Sequence, residues 1–424
     1  MDTFKPAGAY ATQAPSLPSD GGATARAQLA AAASADAGKL RVAMFSGNYN
    51  FVVDGALRAQ NELIGHLNKR GHETLVFAPT TKTPAYDHQG ELVSIPSVAL
   101  PGSRSEYRLG LGLFGGAKRR VDAFKPTLIH LAAPDLTGFQ ALKYGEKRGI
   151  PVVASFHTRF DTYPRYYGAA WLEKYVTAYM RNVYGRCVHV YAPSESLCEE
   201  LAQDGIGKDV RIWSRGVDSG LFSPAKRDPA WRRSLGFGDD DVVVAFVGRI
   251  VLEKGIDVFA EAVGKARAVA PSIKALVVGE GPERARFEAN FPGAVFVGFQ
   301  GGEALARAYA SADVFFNPSI TETFGNVTLE AMASGVATVA ARAAGTMSII
   351  REGVTGVLVD PAKSADGFAA ALVEIAERRD WRTEMGRAAR ARSLDFNWEA
   401  VVDSLIVNYR EAVASFDAAK AAGP

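Results

Sequence analysis

The chain has 424 residues, 48% of them apolar, which is enough for two or three domains with sizeable cores. Its 48 Lys and Arg against 46 Asp and Glu leave a net charge of only +2, which argues against a nucleic-acid partner, and no run approaches the roughly 18 apolar residues of a membrane span. Cys187 and Cys198 have neither CxxC spacing nor a His cluster beside them, so neither a disulfide framework nor a zinc site is expected, and a reducing cytoplasm is the default setting.

Residues 1–38 are rich in Ala, Ser, Pro and Gly and lack both an amphipathic pattern and the apolar segment of a signal peptide; they are expected to form a disordered tail. From Lys39 the pattern changes. An apolar run, Leu40 to Phe45, leads into a glycine-containing loop, Asn50 to Ala56, then a helix from about Ala56 to Arg70 with Ala56, Leu63, Ile64 and Leu67 inward, and a strand from Thr74 to Ala78. Strands at Thr127 to Leu131, Val152 to Phe156 and His189 to Ala192 alternate with helices at Thr137 to Lys147 and Ala170 to Tyr184. Strand and helix in turn predict a parallel, doubly wound sheet. Residues 39–210 carry 21 Lys and Arg against 16 Asp and Glu, so this is the basic half.

The pattern restarts near Asp241: a strand from Val242 to Val247, Gly248, a loop to Gly255, a helix from Ile256 to Ala270 with Ile256, Phe259, Ala260 and Val263 inward, and a strand from Ala275 to Val278. Two Rossmann-like domains are expected, residues 39–212 and 213–399, with a cleft between them. Gly248-Arg249 and Lys254-Gly255 follow the first strand of the second domain, at the carboxyl edge where such sheets bind ligands, and their two cations suit a diphosphate. Two other patterns mislead. Gly110 to Gly115 fits GxGxxG, but SRSEYRL precedes it where a buried strand is required; Asp239-Asp240-Asp241 reads as a solvated turn before a strand and not as a metal site.

The most informative stretch is NPSITETFGNVTLEAMASG, Asn317 to Gly335, which reads as strand end, loop and helix. Glu322 sits in the loop, and Glu330 lies about one turn into the helix, ~6 Å along the axis from its start at ~1.5 Å per residue. Between them Gly325 lets backbone approach a ligand, and the free N–H groups of the first helical turn offer a diphosphate site. Two carboxylates able to read hydroxyls around a phosphate-binding helix start describe a site for a sugar nucleotide.

Glu, seven residues, Glu, with Phe-Gly inside, resembles the family-4 retaining glycosyltransferases of the GT-B fold, and the resemblance runs over nearly the whole chain from Arg41. SITETFGNVTLEAMASG and WSRGVDSGLFSP look closest to sulfoquinovosyl-diacylglycerol synthases and GDP-mannose-dependent mannosyltransferases. The resemblance implies an α/β GT-B protein whose last helix, about 400–418, crosses back onto the first domain. It implies donor binding by Gly55, Gly248, Glu280, Gly281, Phe299, Phe324, Gly325, Asn326, Val327 and Glu330, with Glu330 on the ribose and the loops at Glu280 and Phe299 near the base. It implies that His157 contacts the donor sugar, Glu322 binds sugar hydroxyls, and Arg249 and Lys254 hold the diphosphate; Arg159 and Asp161 are acceptor-side candidates. Asp54 stands where the family has a glycine. The expected co-substrate is a nucleotide-diphosphate sugar, with no cofactor, metal or nucleic acid. The expected acceptor is a membrane lipid, suggested by the loop from Arg104 to Arg120, whose apolar tips Leu109, Leu111, Leu113 and Phe114 lie between Arg104 and Arg108 on one side and Lys118, Arg119 and Arg120 on the other, implying peripheral attachment at an inner membrane face. The same chemistry on a soluble or polysaccharide acceptor, or a sugar-nucleotide-binding protein without catalysis, are the alternatives.

Overall fold

The computed structural model describes residues 38–52, 54–99, 107–157 and 170–422. The expected tail, apart from Gly38, lies outside them, as do Arg104, Arg159 and Asp161. The first sheet contains β1 (Arg41–Phe45), β2 (Glu73–Ala78), β3 (Glu91–Ser94), β6 (Leu128–Leu131), β7 (Val152–Ser155), β8 (Val190–Ala192) and β9 (Val210–Ile212), ordered β3-β2-β1-β6-β7-β8-β9. Every neighbouring pair is parallel. A separate antiparallel hairpin, β4 (Ser97–Ala99) with β5 (Arg108–Gly110), precedes β6. The second sheet, also wholly parallel, contains β10 (Val242–Val247), β11 (Ile273–Val278), β12 (Ala294–Phe296), β13 (Val314–Asn317), β14 (Ala337–Ala341) and β15 (Val357–Val359), ordered β12-β11-β10-β13-β14-β15.

These strands are near-continuous apolar runs because helices cover both faces of each sheet. In β10, Val242, Val244 and Phe246 enter one core while Val243, Ala245 and Val247 enter another on the opposite face. β1 divides likewise, with Ala43 and Phe45 on one side and Val42 and Met44 on the other. In both sheets the chain winds outward from its first strand, then returns to that strand's other side, at β6 and at β13. Such reversal points leave a crevice beyond the strands' carboxyl ends.

The helix after β1 runs Gly55–Lys69 and buries Leu63, Ile64 and Leu67, whereas Ala56 is only partly covered because it sits in the first turn beside the cleft. In the helix Ile256–Val269, Ile256, Phe259 and Val263 are buried as expected; Ala262 and Ala266 complete that face and Ala260 is at its margin. The GxGxxG run starts at the end of an antiparallel strand, since Gly110 ends β5, and Asp135 caps the helix Leu136–Arg148 by accepting from the Gly138 N–H at 2.8 Å.

The last helix, Trp398–Ala421, lies on the first sheet, where Val402, Leu405, Ile406, Tyr409 and Ala412 share a core with Val42, Met44, Tyr191 and Trp213. Tyr409 hydroxyl and Ser155 hydroxyl hydrogen-bond opposite nitrogens of the fully buried His130, whose pKa is pushed down to about 3 by burial. Tyr409→Phe removes one partner from a buried polar ring and should cost ~1–3 kcal/mol, read as a lower urea midpoint.

Candidate functional site

A cleft of about 1230 Å³ opens between the carboxyl edges of the two sheets. Its walls include Gly55 and His157 from the first sheet's side, and Gly248, Arg249, Lys254, Glu280, Phe299, Glu322, Phe324, Gly325, Asn326, Val327 and Glu330 from the second's. Gly281 is absent from that wall. A Cβ there would lie 2.2 Å from the Ile250 carbonyl oxygen, so this glycine permits close backbone packing against Ile250.

The second sheet builds most of the site from two adjacent strand ends. After β10, Gly248 takes φ 153°, Arg249 follows, and a 3-10 turn, Leu252–Lys254, ends at Gly255. After β13, the loop of Pro318 to Phe324 is laced onto that turn: Ser319 and Thr321 hydroxyls donate to the Glu253 carbonyl at 3.1 and 3.2 Å. This brings Lys254 Nζ within 2.5 Å of Glu322 Oε1. Burial alone would lower the Lys254 pKa; the Glu322 carboxylate outweighs it and holds the ammonium above its ordinary value. The Gly345 N–H donates to the Glu322 carbonyl at 3.0 Å and fixes the loop from behind.

Gly325 adopts φ 94°, ψ 56°, a left-handed conformation suited to glycine, and caps the helix Asn326–Ala333 without a side chain. The start of that helix, Asn326 and Val327, lines the cleft with partial positive charge and no side-chain cap, while the Thr328 N–H is taken by the Gly325 carbonyl at 3.0 Å. Phe324 turns its ring inward against Phe396, 5.9 Å between centroids, so only its backbone is available to a ligand. Glu330 receives a hydrogen bond from Tyr309 hydroxyl at 2.9 Å; burial pushes its pKa up to about 7, against the lowering effect of that bond and of Arg58 across the cleft. Phe299 is 61% exposed and Glu280 is tied to Arg284, which places one aromatic face and one carboxylate at the outer end.

The first sheet's side meets this surface closely. A Cβ on Gly55 would lie 2.4 Å from Asn326 Nδ2 of the opposite wall, so a bare backbone is what lets the two helix starts approach. Asp54 is the N-cap of the helix Gly55–Lys69, accepting from Ala56 and Leu57 N–H at 2.8 and 3.4 Å. Tyr107 hydroxyl donates to Asp54 at 3.4 Å, and the Arg249 guanidinium lies 5.9 Å from the Tyr107 ring centroid.

His157 leaves the end of β7 and enters the cleft. Its backbone carbonyl accepts from Thr323 hydroxyl at 3.1 Å, and its Nδ1 receives Arg215 Nη2 at 2.7 Å. Burial first, then Arg215 and His130, keep the imidazole well below its ordinary pKa and therefore neutral. Sequence reasoning missed Arg215, Arg58, Tyr107 and Tyr309. Arg215 carried a signal, in that it belongs to the WSRGVD segment joining the two sheets; Arg58 and Tyr107 lie beside the Asn50–Ala56 loop and within the Arg104–Arg120 loop, with no local pattern aiming them at the cleft, and Tyr309 lies outside every motif.

The family model described as glycosyl transferases group 1 matches residues 227–392, and that described as glycosyltransferase family 4 matches residues 53–221. A GDP-mannose-dependent alpha-mannosyltransferase of Corynebacterium glutamicum is 33% identical over 88% of this chain and 90% of its own length. The chain is a family-4 glycosyltransferase. The sulfoquinovosyl transferase SQD2 of Arabidopsis thaliana is 31% identical over 86% of the glycosyltransferase described here and 72% of its own length. Among solved structures, sucrose-phosphate synthase from Thermosynechococcus elongatus superposes with a TM-score of 0.70 at 23% identity, covering 88% of this glycosyltransferase and 99% of that chain, which establishes the shared GT-B fold.

The raised Glu330 pKa has a definite sign. In the folded enzyme the carboxyl holds its proton up to about pH 7, while the unfolded group loses it near 4.5. Its contribution to stability is thus full below about pH 4.5 and is lost as pH rises through 7. Glu330→Gln, which imitates the protonated form, should gain stability over the parent enzyme between pH 5 and pH 8, measured by urea midpoints at the two pH values.

Proposed function

We propose that this glycosyltransferase moves a hexosyl unit, with retention of anomeric configuration, from a GDP- or UDP-linked sugar to a hydroxyl of a membrane lipid. The observation that carries the donor assignment is the meeting in one cleft of the Lys254–Glu322 pair, Glu330 and the Asn326 helix start, with His157 opposite. The diphosphate lies against Arg249, Lys254 and the first-turn N–H groups, Glu330 takes the ribose hydroxyls, and Glu322 and His157 take hydroxyls of the transferred sugar.

As the bond between the anomeric carbon and the diphosphate breaks, negative charge grows on the departing oxygen, and fixed cations there stabilise the transition state more than the ground state. These groups do the work in place of a divalent ion. The acceptor oxygen bonds to the anomeric carbon on the face the phosphate leaves, and the acceptor proton passes to the departing phosphate oxygen. Glu322 is a poor candidate for a covalent nucleophile, since its carboxylate is committed to Lys254 at 2.5 Å. The relative named for GDP-mannose favours guanosine diphosphate as leaving group.

With EDTA present throughout, Glu330→Ala should weaken free GDP by ~1–3 kcal/mol in calorimetry, because the hydrogen bonds of its carboxyl to the ribose hydroxyls are lost. Glu322→Ala, which frees the Lys254 ammonium for the diphosphate, should not weaken GDP while abolishing sugar transfer. Equal losses of GDP affinity in the two variants, or activity that returns only with an added divalent ion, would overturn the assignment.

The lipid acceptor rests on the first sheet's surface. Of the expected apolar tips, Leu113 is buried in the core, and Lys118 and Arg120 pair with Asp122 and Glu91. Leu109, Leu111 and Phe114 remain 38%, 38% and 56% exposed, next to the start of the basic helix Gly115–Phe124. Apolar tips beside cations suit an anionic interface. Leu111→Ser with Phe114→Ser should weaken co-sedimentation with anionic vesicles at low salt by tenfold or more, since burying each large apolar side chain is worth ~1.5–3 kcal/mol. Unchanged sedimentation, or none by the parent enzyme, would favour a soluble acceptor.

A further inference from the structure

His157 is gripped on three sides. The Trp213 ring meets it edge-on with centroids 5.2 Å apart, Thr323 holds its carbonyl at 3.1 Å, and Arg215 Nη2 lies 2.7 Å from its Nδ1. Arg215 is itself fixed: it is only 3% exposed, its Nη1 donates to the carbonyls of Trp213 and Ser214 at 2.8 and 3.2 Å, and its guanidinium lies 5.0 Å from the Trp213 ring centroid. Trp213 packs in turn against His130, with centroids 5.6 Å apart.

A guanidinium has five N–H donors and no acceptor. The Arg215 contact is therefore one-directional, and Nδ1 must offer its lone pair. In a neutral imidazole the proton then sits on Nε2. That nitrogen is buried and has no hydrogen-bond partner among the described residues. A buried donor left without a partner costs free energy that a ligand oxygen would recover.

We propose that Arg215 is a positioning residue that fixes the tautomer of His157, making the imidazole an obligate hydrogen-bond donor to the transferred sugar and barring it from acting as a base. The proposal rests on the placement of His157 against the donor sugar given above. A base needs a free lone pair; the one on Nδ1 is taken and Nε2 carries hydrogen. Adding a proton would place Nδ1–H against a guanidinium N–H, two donors and two positive charges face to face. The acceptor proton must therefore leave by another route, as in the transfer to the departing phosphate.

The test uses the full-length enzyme labelled with 15N-histidine, whose ring-nitrogen shifts distinguish the two neutral tautomers and the imidazolium without any substrate. The His157 signals are those lost in His157→Gln. The expected result at pH 7 is the Nε2–H tautomer in the parent enzyme and a mixture or the Nδ1–H form in Arg215→Met. The same variant should lose on the order of 10–100-fold in kcat, the scale of one hydrogen bond in a low-dielectric site, with donor KM shifted far less. Arg215→Lys, which still presents donors, should restore the Nε2–H tautomer and part of kcat. An Nδ1–H tautomer or an imidazolium in the parent enzyme would overturn the proposal, as would an unchanged kcat in Arg215→Met. The NMR result stands on the parent enzyme and the lysine variant even if Arg215→Met does not fold. Because it involves no sugar, it also separates failure of the tautomer assignment from failure of the donor assignment.

Discussion

Lys254 and Glu322 can leave bulk water only together. Their side chains are 32% and 11% exposed, and either one alone at that depth would be an uncompensated charge. Holding them 2.5 Å apart requires two loops from adjacent parallel strands to keep their register, and the hydroxyls of Ser319 and Thr321 on the Glu253 carbonyl provide it. The rest of the second sheet follows from this demand. β10 and β13 must be neighbours at a winding reversal, both must end at the same level, and the helix after β13 must start beside the pair. A parallel sheet with helices on both faces delivers all three, because its strand ends are aligned and its helix starts point the same way.

The first sheet contributes by proximity. Its wall touches the second through Ser194 hydroxyl to the Thr323 carbonyl at 3.1 Å, Thr323 hydroxyl to the His157 carbonyl, and Ser196 hydroxyl to the Ala344 carbonyl at 2.7 Å. Thr323 adjoins Glu322, so the contact that joins the two walls also locates the carboxylate. The helix Trp398–Ala421 backs the same arrangement: Tyr409 meets His130, His130 meets Trp213, and Trp213 meets His157. A chain of packed rings thus runs from the last helix to the cleft.

Much of this was legible in the residues. Long apolar runs gave both sheets, because strands buried on two faces leave no alternation to misread; β10 begins and ends at Val242 and Val247, as its composition indicates. The Glu322–Glu330 spacing was legible because loop and helix are contiguous in sequence. Short strands such as β12 and β15, three residues each, were not, since three residues carry no period. Arg215 was missed for a different reason: its partner His157 is 58 positions away, and a contact made by folding leaves no local pattern. Leu113 was misjudged as a surface tip because its neighbours Leu111 and Phe114 do face out, and a loop has no fixed period from which to tell inward from outward.

Asp54 shows how one side chain at a helix start changes what that start can bind. A glycine there would leave the N–H groups at the start of the helix Gly55–Lys69 free for a diphosphate; the Asp54 carboxylate instead accepts from Ala56 and Leu57 and fills that anion-binding position from within. A capping carboxylate also repels a phosphate brought near it. The opposite wall differs, since there the helix Asn326–Ala333 has no side-chain cap and Arg249 and Lys254 line the same cleft. The acid at position 54 keeps a bridging use, accepting from Tyr107, whose ring faces Arg249. It also favours the charged forms of Lys254 and Arg215, the latter drawn down to about 10 by burial and held up by Asp54. The first wall therefore orders and tunes the cations of the cleft, and the second wall carries the uncapped helix start beside them.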